Sequence, residues 1–96
     1  MLINAVIYTI PDDKADEAEK FLRELAAASR SEDGCLGYEV VRGNEPDRGT
    51  FVLFEKYRNQ AALDAHMQSE HFRRLGMNGF RPLATGRQAI KGTLVE

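Results

Sequence analysis

Ninety-six residues are enough for one small domain and too few for two independent cores. Thirteen Lys and Arg against fifteen Asp and Glu give a net charge of -2, with no basic run, which excludes the electrostatic footprint of a nucleic-acid or anionic-membrane partner. The single Cys35 excludes an internal disulfide and any multi-cysteine zinc site, so a reducing, cytoplasmic setting is expected.

No stretch approaches ~18 apolar residues, which argues against membrane insertion, and MLINAVIYTI lacks a basic leader and a cleavage site. Met1 to Glu96 therefore reads as one mature, soluble domain. A chain this short buries only about 60 to 65% of its unfolded surface, so association with a second copy is expected.

Leu2 to Ile10 is a β-branched run ended by Pro11-Asp12. Both of its faces are apolar, Leu2, Val6, Tyr8 and Ile10 on one and Ile3, Ala5 and Ile7 on the other. Helices on one side of an antiparallel sheet leave the other side polar in a monomer, so the second cover is expected from a partner copy.

From Asp13 to Arg30 the period becomes helical, with Ala15, Ala18, Phe21, Leu22, Leu25, Ala26 and Ser29 on one arc. Asp12 or Asp13 is the expected N-cap, Glu19 and Arg23 pair at i,i+4, and Gly34 is the expected left-handed C-terminal residue. Cys35 to Arg42 and Thr50 to Arg58 read as a hairpin around the turn-rich Gly43 to Gly49. Asn59 caps a short helix over Gln60 to Met67, and Ser69 caps another from Glu70 to about Met77. Gly79, Pro82 and Gly86 mark a loop, and Arg87 to Val95 is the last strand. The order βαββαβ is the ferredoxin-like α+β plan with an antiparallel sheet.

Two segments, Glu32 to Val40 (EDGCLGYEV) and Phe51 to Phe72 (FVLFEKYRNQAALDAHMQSEHF), carry a recognisable pattern. It consists of an acidic-Gly-Cys turn into a strand, a strand ending E-x-Tyr, and A-L-x-A-H before S-x-H-F. This resembles the antibiotic biosynthesis monooxygenase family, most of all its quinol-monooxygenase branch. It is also similar to proteins that degrade a phosphorylated autoinducer-2 signal. The resemblance implies a ferredoxin-like fold paired into a dimeric α+β barrel. In the polyketide-oxidising members a Trp stands at Tyr57, an Asn at Leu53 and a Tyr at Leu63, so that polar pocket is not carried over. Aligned on Ser69 to Phe72, the haem-degrading relatives have a Trp at His66 and a His at Gly76, which disfavours haem cleavage.

His66 falls at i+3 from Leu63 and i+4 from Ala62, so its imidazole is expected to point inward as a base or anion-stabilising donor. Glu55 and Tyr57 share a strand face with Leu53 and Phe51. Glu55 needs a partner there, with Arg73, Arg74 and Arg87 as candidates, and Tyr57 is read as the hydroxyl that orients substrate. His66, Tyr57 and Glu55 are the expected catalytic set. Asn4, Leu53, Leu63, Met67, His71 and Phe72 are the expected substrate-binding lining.

His71, about 140° round from His66 on a continuous helix, forms no i,i+4 metal pair with it, and no metal site is expected. Gly34 and Gly37 make no dinucleotide fingerprint, and no cofactor is expected. An oxygenase without a cofactor draws its electrons from the substrate, so the leading reading is a homodimeric monooxygenase acting on a quinol or related electron-rich aromatic with O2. The alternatives are an isomerase or degrading enzyme for a small enolisable signal, for which a pocket rich in Arg and Lys would speak, and a non-catalytic ligand-binding module.

Overall fold

A computed structural model describes residues 1–95. Strand β1, Leu2–Thr9, is followed by a 3-10 turn at Asp12–Lys14 and helix α1, Ala15–Arg30. Strands β2, Cys35–Arg42, and β3, Thr50–Tyr57, precede helix α2, Gln60–Met67. A π-helical segment, Phe72–Phe80, then runs through a 3-10 turn, Arg81–Leu83, into strand β4, Gly86–Gly92. The sheet order is β2-β3-β1-β4, with antiparallel neighbours throughout. This is the ferredoxin-like α+β fold expected from the pattern of elements.

Register decides which side each residue serves. Val6 stands opposite Leu53 and Ala89, and Tyr8 opposite Phe51 and Arg87, so these rows face the helices. The alternate rows, Ala5 with Phe54 and Ile90, and Ile7 with Val52 and Gln88, face away. α1 buries Ala15, Ala18, Leu22, Leu25, Ala26 and Ser29 against the helix-side rows, the arc expected from its period. A fully buried leucine such as Leu22 contributes about 1.5 to 3 kcal/mol through its apolar area.

The molecule is only 18 Å through its thinnest axis, the depth of one sheet plus one helical layer. Its far side is correspondingly bare: Ile7 is 45%, Val41 55% and Ile90 66% exposed.

Four local expectations are corrected. Neither Asp12 nor Asp13 caps α1 with its side chain; the helix enters through the 3-10 turn, closed by the Lys14 N–H on Pro11 O at 2.9 Å. Gly34 is not left-handed, since no described glycine has positive φ. A Cβ on Gly34 would stand 2.4 Å from the Ala62 Cβ, so close approach to α2 is what demands glycine.

The second helix does not give way to a loop near Met77. It continues as wide turns to Phe80, with Gly79 lying on the Phe21 ring, 2.6 Å from where a Cβ would be. Finally β4 ends at Gly92, because its partner β1 has only Leu2 left beyond Ile3, the residue opposite Gly92.

Candidate active site

Between the helix-side face of the sheet and the α2 to π-helical arm lies a cavity of about 270 Å³, at the small end of ligand pockets. Among the expected residues, Asn4 and Glu55 come from adjacent strands at paired positions, with Leu53 one row further. Leu63, His66 and Met67 descend from α2, and Phe72 from the start of the π-helical segment. Seven of the nine expected residues therefore meet around one cavity, as strand alternation and helical spacing dictate.

The asparagine cap sets the pitch of α2: Asn59 Oδ1 accepts the Ala62 N–H at 2.9 Å. With that start fixed, Leu63 and His66 are the buried residues of the helix, and His66 is only 2% exposed. Its ring is boxed by Tyr38, Tyr57 and Phe72, with centroids 5.7, 5.4 and 5.0 Å away. Its Nδ1 stands 2.9 Å from Glu32 Oε2. A carboxylate only accepts, so the Nδ1 proton points at Glu32 and the lone pair of the neutral ring is left on Nε2. Glu32 is itself held in the turn after α1, its N–H on Ser29 O at 3.1 Å and its carbonyl accepting the Cys35 N–H at 3.2 Å.

Two expected residues are placed differently. Tyr57 does not reach the cavity wall; it is fully buried behind it and donates its hydroxyl to Glu55 Oε1 at 2.7 Å. Its hydroxyl is thus engaged with Glu55. His71 is also off the wall, because the break at Gln68-Ser69 resets the helical phase. Ser69 Oγ donates to His66 O at 2.6 Å and accepts the Phe72 N–H at 3.2 Å, closing one helix and opening the next. This turn swings His71 Nε2 onto the same Glu32 oxygen that binds His66.

Glu55 has neither Arg73, Arg74 nor Arg87 as partner. Besides Tyr57 it accepts from Asn4 Nδ2 at 3.3 Å. Burial pushes its carboxyl above the ordinary range, against the opposing pull of the Tyr57 hydrogen bond and the nearby His66. Burial, then the adjacent Glu55, pushes the Tyr57 hydroxyl up as well.

The sequence reading missed Tyr38, which lies across the sheet from Glu55 and is 1% exposed, and the cationic end of the cavity. There Arg81 and Arg87 join the lining beside Tyr8, while Lys91 lines the cavity in the Asn4 row. Arg81 and Arg87 both donate through Nε to the Tyr8 hydroxyl, at 3.3 and 3.2 Å. Strand alternation alone would have found Tyr38, from its spacing to Val40. Arg81 needed the π-helical arm, which no local signal announced.

Fold and cavity together define a ferredoxin-like α+β domain with an internal pocket of small-molecule size, apolar on its walls and charged at both ends. The profile described as antibiotic biosynthesis monooxygenase matches residues 1–75. The chain belongs to that family.

A Mycobacterium tuberculosis protein named "Putative monooxygenase" is 42% identical over 60 residues, covering 58% of this chain and 57% of that protein. A Bacillus subtilis protein likewise named "Putative monooxygenase" is 29% identical over 86 residues, covering 86% of this chain and 90% of that protein. A crystal structure described as antibiotic biosynthesis monooxygenase superposes with a TM-score of 0.90 at 29% identity, covering all of both chains. The match spans 57% of the mycobacterial protein and 42% of an uncharacterized Synechocystis protein. No helix among the described residues is long and apolar enough to cross a membrane.

Proposed function

We propose that this chain is a cofactor-independent monooxygenase that oxidises a quinol or related electron-rich aromatic with O2, working as a homodimer. The observation that carries this reading is the buried His66 on the cavity wall with its Nδ1 anchored to Glu32. The anchor leaves Nε2 as a base of fixed orientation, which takes the proton of a substrate hydroxyl. The resulting anion is rich enough in electrons to reduce O2 directly. One oxygen atom enters the ring and the other leaves as water, so that quinol plus O2 gives hydroxyquinone plus water, and all four electrons come from the substrate. Leu53, Leu63, Met67 and Phe72 keep that anion away from bulk water. Asn4 and Tyr57 hold Glu55, whose raised proton affinity suits it to return a proton to the reduced oxygen.

A second reading is favoured by one observation, the Arg81 and Arg87 end of the cavity beside Tyr8. Two guanidinium groups suit a phosphate or carboxylate, as on a small phosphorylated, enolisable signal whose His66-catalysed proton transfer needs no O2.

Oxygen uptake with reduced quinols, corrected for autoxidation, separates the two. The monooxygenase reading expects protein-dependent uptake that falls by about 10² to 10⁴ in His66→Ala, the usual worth of a general base. Absence of uptake together with O2-independent turnover of a phosphorylated ketone, lost in Arg87→Ala, would replace it by the isomerase reading.

A further inference from the structure

Glu32, His66 and His71 come from three separate pieces of the chain: the turn after α1, the last turn of α2, and the helical turn beyond Ser69. One ligand-type atom of each, Glu32 Oε2, His66 Nδ1 and His71 Nε2, lies within 4.8 Å of the other two. The donors of a metal with bonds near 2.0 to 2.2 Å stand about 3 to 3.5 Å apart. His66 Nδ1 and Glu32 Oε2, at 2.9 Å, already have close to that spacing.

The cluster is preorganised. Glu32 is pinned by two backbone hydrogen bonds, and the His66 ring cannot turn within its aromatic box. Its side chains are 17% exposed for Glu32, 2% for His66 and 21% for His71, which leaves a route in from the His71 side. With both imidazoles neutral the cluster carries one negative charge, so it attracts a cation.

We propose that Glu32, His66 and His71 form a binding site for a divalent first-row transition ion. Two imidazole nitrogens and one carboxylate oxygen are the donor set that zinc, cobalt, nickel and ferrous iron take up. Magnesium and calcium demand oxygen-rich shells and are excluded.

Binding at Nδ1 has a chemical consequence on the other side of the ring. The metal replaces the Nδ1 proton, and a neutral imidazole then carries its proton on Nε2. The loaded protein therefore loses the base that faces substrate. This consequence rests on the monooxygenase reading, whereas the binding itself does not.

The test is titration calorimetry of the metal-stripped, full-length protein with zinc, alongside visible spectroscopy of the cobalt-loaded form. Wild type is expected to take up one ion per chain at about pH 7.5, to ignore magnesium, and to show tetrahedral or five-coordinate cobalt bands. Removing a metal's second-shell support already costs about 10- to 100-fold in affinity. Loss of a ligand in His71→Leu or Glu32→Gln is thus expected to cost at least about 100-fold.

Circular dichroism of the metal-free variants checks that they remain folded, and the His66 and His71 ring signals in NMR, which should shift on loading, give a second readout in wild type. A folded wild type that binds no zinc, or zinc affinity that survives in either variant, overturns the site. Any quinol turnover should be inhibited by zinc in wild type and not in His71→Leu. Failure of turnover alone would touch the monooxygenase reading and leave the binding result standing.

Discussion

Glu55 is a carboxyl set into an apolar wall, 3% exposed, and hydrogen-bonded by the Tyr57 phenol and the Asn4 amide. Because burial raises its pKa above the unfolded value, the folded protein holds the Glu55 proton more tightly than the unfolded chain does. Its favourable contribution to stability is therefore complete below the ordinary carboxyl pKa and is lost as pH rises through the folded value. Glu55→Gln keeps an acceptor for Tyr57 and removes the charge. We expect it to match wild type in thermal stability near pH 4 and to exceed it near pH 7, by an amount that grows with pH, as followed by thermal melts. A gap that is constant across this range would mean that Glu55 is not a buried titrating group. At this scale the sequence exposes what alternation controls: Asn4, Leu53, Glu55 and His66 were legible from spacing. The meeting of Glu32 with both histidines was not, since it joins chain segments more than thirty residues apart.

Elements meet here through absent side chains as much as present ones. Gly34 lets the turn between α1 and β2 lie against α2 at Ala62, and an added methyl there would be 2.4 Å from the Ala62 Cβ. Gly34→Ala is expected to cost about 1 to 3 kcal/mol, the usual range for overpacking. Ala62→Gly removes the atom it strikes, so the double variant should be more stable than Gly34→Ala alone in urea unfolding. Failure of that rescue would show that Gly34 serves something other than close approach. The hydrophobic periods of β1, α1, β2 and β3 made these elements readable, as did the Asn59 cap of α2. The π-helical stretch was unreadable because Gly76 and Gly79 signal a break under local propensity, while tertiary packing on Phe21 rewards a wide helical turn instead.

At the level of the whole molecule, one helical layer on one sheet leaves Ile7, Val41 and Ile90 uncovered across three strands. Apolar rows on both sides of β1 were visible in the sequence, and the fold plan followed from the order of elements. In the proposed homodimer the cover of the second side comes from another chain and so from no local pattern. The homodimer proposed above uses this face. Light scattering at micromolar concentration should give twice the monomer mass for wild type and the monomer mass for an Ile7→Glu, Val41→Glu double variant. A wild-type monomer would overturn the homodimer.

The same sheet parts two tasks residue by residue: along β1 and β3 alternate side chains face the helices, Asn4, Val6, Tyr8, Leu53 and Glu55 among them on the cavity, and those between face away. Inserting or deleting one residue inside either strand would exchange the two sets, sending Asn4 and Glu55 outward and the apolar partners of Ile7 inward. These strands can therefore drift in composition while their length stays fixed. Insertions and deletions should accumulate where register is reset, in the loop from Gly43 to Gly49 between β2 and β3.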